Sequence, residues 1–391
     1  MKKVKIIIGA NYGDEGKGLV TRHFVCNAKE NGEYPIVILH NGSGQRGHTI
    51  EYEPKEKGDA IKRHVYHHFG VGVKENIPTY YADTFLIHPM EYAVEYQELK
   101  DLFGRRPVDG YCSPNCMVIT PFDMLVDQAT KIWIESTTGQ KSYGTCGYGT
   151  WCACEDRFKR GKTAYTLSEY EYTATLPDKM FHIWKECQSI LKARGVDVDR
   201  MPGIKEMFSE AALENAIKHF RTDLLFFFNT TSMKPYNFIW KTFNTHIFEG
   251  GQGLGLDKRV HNDYHTTSFT GLTNPYYMLI KKEDFEAEVC YVTRSYLTRH
   301  GDGPLENEID SKKLNSNIVD PTNCFNNFQG PLRYGIIDKD LFKERIDKDF
   351  SLVENDPRFS RTVAITHTNE YNCGFAGDYF SDNRYSLYET K

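Results

Sequence analysis

The stretch Ile6-Ile7-Ile8-Gly9-Ala10-Asn11-Tyr12-Gly13-Asp14-Glu15-Gly16-Lys17-Gly18 decides the fold. A β-branched run of the buried type ends in a glycine-rich turn carrying acidic residues and one lysine. A helical pattern follows from about Lys17 to Ala28. Glycines let backbone N–H groups close around phosphate oxygens, and the next helix N-terminus adds positive potential. The ordinary P-loop places Ser or Thr directly after the lysine, whereas here that residue is Gly18. Asp14 sets the turn apart, because a carboxylate in an anion cradle is repelled by phosphate unless a metal or a proton transfer requires it. The pattern points to chemistry on a nucleotide.

Val4–Ile8, the helix, and Ile36–His40 make a strand–helix–strand unit, which predicts a parallel pair with a right-handed crossover. The phosphate turn then lies at the carboxyl end of the first strand, where open α/β sheets bind ligands. A second glycine-rich turn, Asn41-Gly42-Ser43-Gly44-Gln45-Arg46-Gly47-His48-Thr49, follows the second strand. Apolar runs predict further strands at Phe85–Ile87, Leu224–Asn229, His246–Glu249, Glu288–Val292 and Thr362–Thr366, and residues from about 168 to 222 read as a helical excursion. There is no internal repeat and no long Pro/Gly/Ser linker. The expectation is one continuous α/β domain over residues 1–391, a mostly parallel central sheet with flanking helices.

The two glycine turns resemble the N-terminal signature of adenylosuccinate synthetases, GDEGKG and then a turn ending in Gly-His-Thr. The resemblance continues at Thr137-Thr138-Gly139, Glu155-Asp156, Arg160-Gly161, Phe248-Glu249-Gly250-Gly251-Gln252-Gly253, Thr298-Arg299-His300-Gly301-Asp302-Gly303-Pro304 and Thr366-His367-Thr368-Asn369. These blocks keep the family's order from about residue 4 to residue 370. Some departures resemble the phage-type branch, which makes 2-aminodeoxyadenylosuccinate from dGMP.

The resemblance implies a P-loop-like nucleotide-binding architecture, Mg²⁺ as cofactor and a homodimer. It makes Asp14 the base that removes the purine N1 proton, so that O6 attacks the γ-phosphate, and also a Mg²⁺ ligand beside the Gly47 carbonyl. Lys17 neutralises the transferring phosphoryl group, and His48 acts as an acid on it. Asn11, Gly13, Glu15, Gly16, Gly18 and Thr49 complete the nucleotide contacts. Thr137 and Thr138 match the hydroxyl pair on the nucleotide 5′-phosphate, with Thr145 in a second candidate turn. Arg160 matches an arginine reaching that phosphate across the dimer. Asn11, Gln45, Gln252 and Thr267 match purine monophosphate contacts. Outside the resemblance, Asp14 could be an Asx-turn residue and Arg160 a surface charge.

Two departures matter. The family's aspartate loop carries a run of arginines, whereas here Asn326–Asp338 keeps only Arg333 to grip a dicarboxylate, helped by Asn327 and Gln329. The family reads guanine with Thr-Lys-x-Asp, whereas Asn369 can donate to N1 and accept from the 6-amino group of adenine. Asn369 could also only cap a turn. Together these point to dGMP, L-aspartate and ATP or dATP as substrates. Asp14 is shared with the housekeeping enzyme, which uses IMP and GTP; phage members often carry Ser there. A non-catalytic nucleotide-binding regulator is disfavoured, because Asp14 and His48 are dispensable for binding.

A formal charge of −5 over 391 residues, with 40% hydrophobic and 26% charged content, argues for a globule without a nucleic-acid partner. No apolar run reaches a membrane span, and Met1-Lys2-Lys3 leads into a strand rather than a signal peptide, so a cytoplasmic location with reduced thiols is expected. Cys112, Cys116, Cys146, Cys152 and Cys154 crowd one region without a paired C-x-x-C frame, which favours plain thiols over zinc.

Overall fold

The computed structural model describes residues 1–52, 60–141, 147–157, 165–257, 270–318, 330–371 and 386–389, with only the backbone described at 155–157 and 386–389. Strand β1 (Lys2–Gly9) leads through the first glycine turn into helix α1 (Lys17–Glu30) and then β2 (Pro35–Leu39). An antiparallel pair, β3 (His48–Tyr52) and β4 (Lys62–Tyr66), carries the second turn away from the sheet. The sheet resumes with β5 (Thr79–Tyr81), β6 (Gly110–Cys112), β7 (Thr231–Met233), β8 (Thr245–Gly253) and β9 (Phe285–Arg294). A small antiparallel sheet follows, made of β10 (Leu297–Arg299), β11 (Glu308–Ile309) and β12 (Arg333–Gly335). Strands β13 (Phe359–Thr366) and β14 (Ser386–Glu389) return to the main sheet.

Among the described residues the main sheet has nine strands in the order β14-β13-β9-β1-β8-β2-β5-β6-β7, each neighbouring pair parallel. Such a sheet must be covered on both faces, and the central strands show why it can be. Ile7, Val37 and Leu39 pack with Phe24 and Val25 of α1 on one side. Ile6, Ile8, Ile36 and Ile38 pack on the other, with Phe342 and Ile346 of the helix Lys339–Phe350. The alternation of side chains along a strand divides one apolar run between two cores.

Three expectations need correction. Strands β1 and β2 are parallel but not neighbours: β8 lies between them and pairs with both. Leu224–Asn229 is the end of the helix Glu210–Thr230, which buries Leu213, Phe220, Leu224 and Phe227 at helical spacing and leaves Leu225 exposed. Phe85–Ile87 is buried but turns, with Ile87 making only an isolated bridge to Val118.

The expected excursion region carries the helices Leu176–Ala193 and Glu210–Thr230, which pack on α3 (Pro121–Thr138) and α2 (Pro89–Phe103). Helix α3 opens with a Thr120–Asp123 capping box. The cysteines disperse. Cys116 donates to the carbonyls of Tyr81 and Ala82, Cys152 lies within 4.8 Å of Asp123 and Cys187 in the core, and no described cysteine is in a disulfide. Cys146 lies outside the described residues. Among the described residues no helix is long and apolar enough to cross a membrane.

Candidate active site

At the carboxyl end of β1 the first glycine turn encloses an anion, and that anion is its own Glu15. One carboxylate oxygen accepts the N–H groups of Asn11 at 2.9 Å and Gly13 at 3.0 Å, and the other accepts from Lys17 Nζ at 2.6 Å. Burial pushes the Glu15 carboxyl up, but Lys17 and the two N–H groups outweigh it and hold it below the ordinary range. The turn therefore has the donors of a phosphate site, and its lysine keeps further N–H groups for a second anion. Helix α1 starts at Lys17 without a side-chain cap, which leaves its first N–H groups facing the same region.

Three successive carbonyls of this turn are held from outside. Gly13 O accepts from Thr298 Oγ1 at 3.0 Å, Asp14 O from Arg294 Nε, and Glu15 O from Thr366 Oγ1 at 2.8 Å. The holders sit on β10, β9 and β13, and their grip fixes Asp14 at a positive φ of 58°, which Asp tolerates better than most residues. The Asp14 carboxylate stays partly exposed, 3.6 Å from His300 Nε2. Asn11 is committed to the framework: its side chain donates to Thr293 Oγ1 at 2.8 Å and accepts from Arg345 Nη1 at 2.7 Å.

The two glycine turns touch. A Cβ on Gly18 would lie 2.8 Å from the His48 Cβ, so the residue after the lysine must be glycine for His48 to reach the start of α1. His48 Nδ1 bonds the buried carboxylate of Glu249 on β8, which also takes Arg46 Nη1 at 3.0 Å and the Val71 N–H at 2.9 Å. Burial pushes the Glu249 carboxyl up, but Arg46, His48 and Val71 prevail and hold it at about 2. Burial lowers His48 more than Glu249 raises it, so the imidazole is neutral near pH 7. With Nδ1–H on Glu249, Nε2 is buried, has no partner among the described residues and carries the lone pair. Arg46 also donates to the carbonyls of His67 and Phe69, which fastens the second turn to the segment after β4. Gly47 is exposed, and Thr49 continues into β3.

The remaining sequence candidates divide. Gln45 and Gln252 approach each other, their Nε2 atoms 3.3 and 4.0 Å from where a Cβ on Gly42 would stand. Asn369 is exposed in the turn directly after β13, three residues beyond the Thr366 that binds the first turn. Thr137 and Thr138 are not brought to the glycine turns. Their hydroxyls donate back to Trp133 and Ile134 carbonyls at the exposed end of α3, about 22 Å of helix from Asp123 at its start. Arg333 spends its guanidinium on Glu308 and on the carbonyls of Gly301 and Gly303, so it braces the turn that carries His300. The surface pocket of about 380 Å³ beside Arg333 is lined by Glu308 and Asp310, poor company for a dicarboxylate. Thr145, Arg160, Thr267, Asn327 and Gln329 lie outside the described residues. Sequence reading missed Glu249, Arg46, Arg294, Thr298 and Thr366 as the residues that hold the site. Some stood in the quoted blocks, but nothing local shows which backbone atom they grip.

A parallel sheet with two glycine turns at its carboxyl edge, one holding a carboxylate and the other a carboxylate-bound histidine, has the layout of a nucleotide-binding α/β protein. The family model for adenylosuccinate synthetase matches residues 6–346, and the chain belongs to that ligase family. Among curated relatives, the adenylosuccinate synthetase of Thermosipho africanus is 24% identical over 314 residues, covering 79% of this chain and 67% of that protein. That of Thermotoga maritima is 25% identical over 321 residues, covering 79% and 68%. The chain thus spans about two thirds of the length of these relatives. The fully ligated adenylosuccinate synthetase of Plasmodium falciparum superposes with a TM-score of 0.59 at 19% identity, covering 94% of this chain and 77% of that one. The succinoaminodeoxyadenylate synthetase of cyanophage S-2L, solved with dGMP and dATP, gives 0.58 at 14%, covering 95% and 86%. Both likenesses establish the fold.

Proposed function

We propose that this protein is a ligase joining L-aspartate to C6 of dGMP with hydrolysis of ATP or dATP, giving N6-succino-2-amino-2′-deoxyadenylate for diaminopurine nucleotide synthesis. The observation that carries the ligase reading is the convergence of Asp14, Lys17 and His48 at one edge of the sheet, each with its partner in place. The residues suit a 6-oxo-to-amine exchange. Asp14, partly exposed on a rigid turn, takes the N1 proton and leaves charge on O6. Lys17 balances the phosphoryl group that O6 attacks. His48, tied through Nδ1–H to Glu249, takes a proton from solvent onto Nε2 as the negative triphosphate binds beside it, and then donates Nε2–H to a phosphoryl oxygen as an acid. Aspartate nitrogen then displaces phosphate at C6.

The donor set fits Mg²⁺, because the Asp14 carboxylate and the Gly47 carbonyl are hard oxygens reachable from solvent. A bound Mg²⁺ would neutralise the triphosphate. The choice of dGMP and an adenine donor is supported by Asn369, three residues past the Thr366 that binds the first turn, by the lack of an arginine run near Arg333, and by the ligands of the cyanophage protein. Aspartate as amine donor comes from the family. A soluble homodimer sharing Arg160 belongs to the same reading.

The testing experiment measures aspartate-dependent phosphate release with dGMP or IMP crossed against ATP, dATP or GTP. Turnover with dGMP and an adenine donor is expected. Turnover only with IMP and GTP would assign the housekeeping reaction, and nucleotide binding without turnover in any pairing would make the protein a regulator.

A further inference from the structure

Thr150 matches none of the residues on which the family resemblance rests, yet it is 4% exposed and its hydroxyl donates to Gln45 Oε1 at 3.0 Å. Its position is built rather than incidental. Gly149 has a φ of 75°, and a Cβ there would stand 2.5 Å from the Met124 N atom, so the turn 147–151 lies against the first turn of α3. Gln128 of the same helix donates to Gly147 O at 3.2 Å. A capped helix thus fixes a turn, and the turn fixes one hydroxyl on the amide of Gln45.

With Oε1 engaged by Thr150, the Gln45 amide turns its N–H₂ group toward Gly42. The Gln252 N–H₂ group approaches the same place from β8. Two amide donors converging beside Gly42 suit a ligand edge made of acceptors and disfavour one carrying a donor. A 6-oxopurine presents O6 and N7 on one edge, both acceptors; a 6-aminopurine replaces O6 with an N–H₂ group.

We propose that Thr150 is a positioning residue for the purine monophosphate, holding Gln45 so that Gln45 and Gln252 together select a 6-oxo base. The proposal rests on the reading of this site as a 6-oxopurine monophosphate site. It does not require Thr150 to touch the ligand. The hydroxyl acts through the Gln45 amide, so its loss should act on the base and not on the triphosphate.

The test uses the full chain carrying Thr150→Val, Thr150→Ser, Gln45→Ala and the Thr150→Val/Gln45→Ala pair. Calorimetry measures binding of dGMP, IMP, dAMP and ATP, with the thermal midpoint as a control for folding. Thr150→Val should weaken dGMP or IMP about fivefold to tenfold, equivalent to about 1 kcal/mol, and narrow the preference over dAMP. Its ATP affinity should stay within about twofold of wild type. Thr150→Ser should restore 6-oxopurine binding, and Thr150→Val should add nothing in the Gln45→Ala background. Unchanged dGMP and IMP binding in Thr150→Val, or an equal loss for ATP, overturns the proposal. A wild-type protein that binds neither dGMP nor IMP overturns the functional reading itself, and the proposal with it.

Discussion

Thr366 Oγ1 donates to Glu15 O at 2.8 Å, joining the end of β13 to the phosphate turn across 351 positions of sequence. The bond fixes where the turn Thr366-His367-Thr368-Asn369 stands relative to the anion-binding N–H groups. His367 holds a φ of 58°, and its carbonyl accepts from Ser295 Oγ at 2.8 Å, so this second turn is also pinned to β9's end. On the proposed reading, Asn369, three positions past Thr366, would stand within reach of a nucleotide seated on that turn.

Donor choice should follow from Asn369. Its amide would donate to adenine N1 and accept from the 6-amino group, while guanine presents N1–H and O6 in the opposite sense. Both guanine contacts would be mismatched, at about 1–3 kcal/mol for each unpaired group. Adenine donors should be preferred by at least about tenfold in kcat/KM, and Asn369→Asp should swing preference toward GTP. Steady-state kinetics with ATP and GTP decide it. Equal rates that the substitution leaves unmoved would remove Asn369 from base reading.

Asp14→Asn should keep nucleotide binding but stop turnover, because an amide cannot take the N1 proton. Loss of a general base typically costs about 10²–10⁴-fold. The backbone bond from Arg294 to Asp14 O does not depend on the side chain, so the turn should persist. Calorimetric binding of ATP beside single-turnover rates separates the two effects. Activity within about threefold of wild type would show that another group takes the proton.

What could be read in advance was local chemistry. Glycines 9, 13, 16 and 18 around Asp14 and Lys17 declare an anion turn because only that chemistry needs those residues together. Sheet order was not legible, since β8 enters between β1 and β2 from more than two hundred residues away. Nor was Leu224–Asn229, because a short apolar run ending a helix has the same composition as a buried strand. Nor was the placement of Thr137 and Thr138, whose hydroxyls donate to carbonyls of their own helix at its exposed end. The carbonyl grips of Thr298, Arg294 and Thr366 were invisible because they depend on which strands become neighbours.

Acid should unfold this protein through buried neutral histidines. Burial and nearby Arg46 lower His40 to about 3, burial and Lys2 lower His246 to about 3, and burial lowers His88 to about 4. Each is neutral in the fold but protonates near 6.5 when unfolded. Stability is full above pH 6.5 and falls as pH drops through the window down to about 4 and then 3. The three sites together give a slope of about 4 kcal/mol per pH unit within it. Urea unfolding between pH 6.5 and 5 should show that fall, and His40→Phe should lessen the slope by one site's share, about 1.4 kcal/mol per pH unit. A slope unchanged by the substitution would mean that His40 is protonated in the native state.

If Arg160 serves a neighbouring subunit's monophosphate, each active site of a two-fold dimer takes Asp14 from one chain and Arg160 from the other. Arg160→Ala and Asp14→Asn homodimers should then both be inactive. Mixing the two variants under conditions that exchange subunits gives a hybrid in which one site has both residues altered and the other has both intact. With random exchange, half of the dimers are hybrids carrying one good site, so recovery should approach about a quarter of wild-type activity per chain. Native mass spectrometry of differently tagged chains confirms that hybrids have formed. Hybrids that stay inactive would place Arg160 in its own subunit's site, because then no hybrid site combines an intact Asp14 with an intact Arg160, whereas an active Arg160→Ala homodimer would place Arg160 outside the reaction.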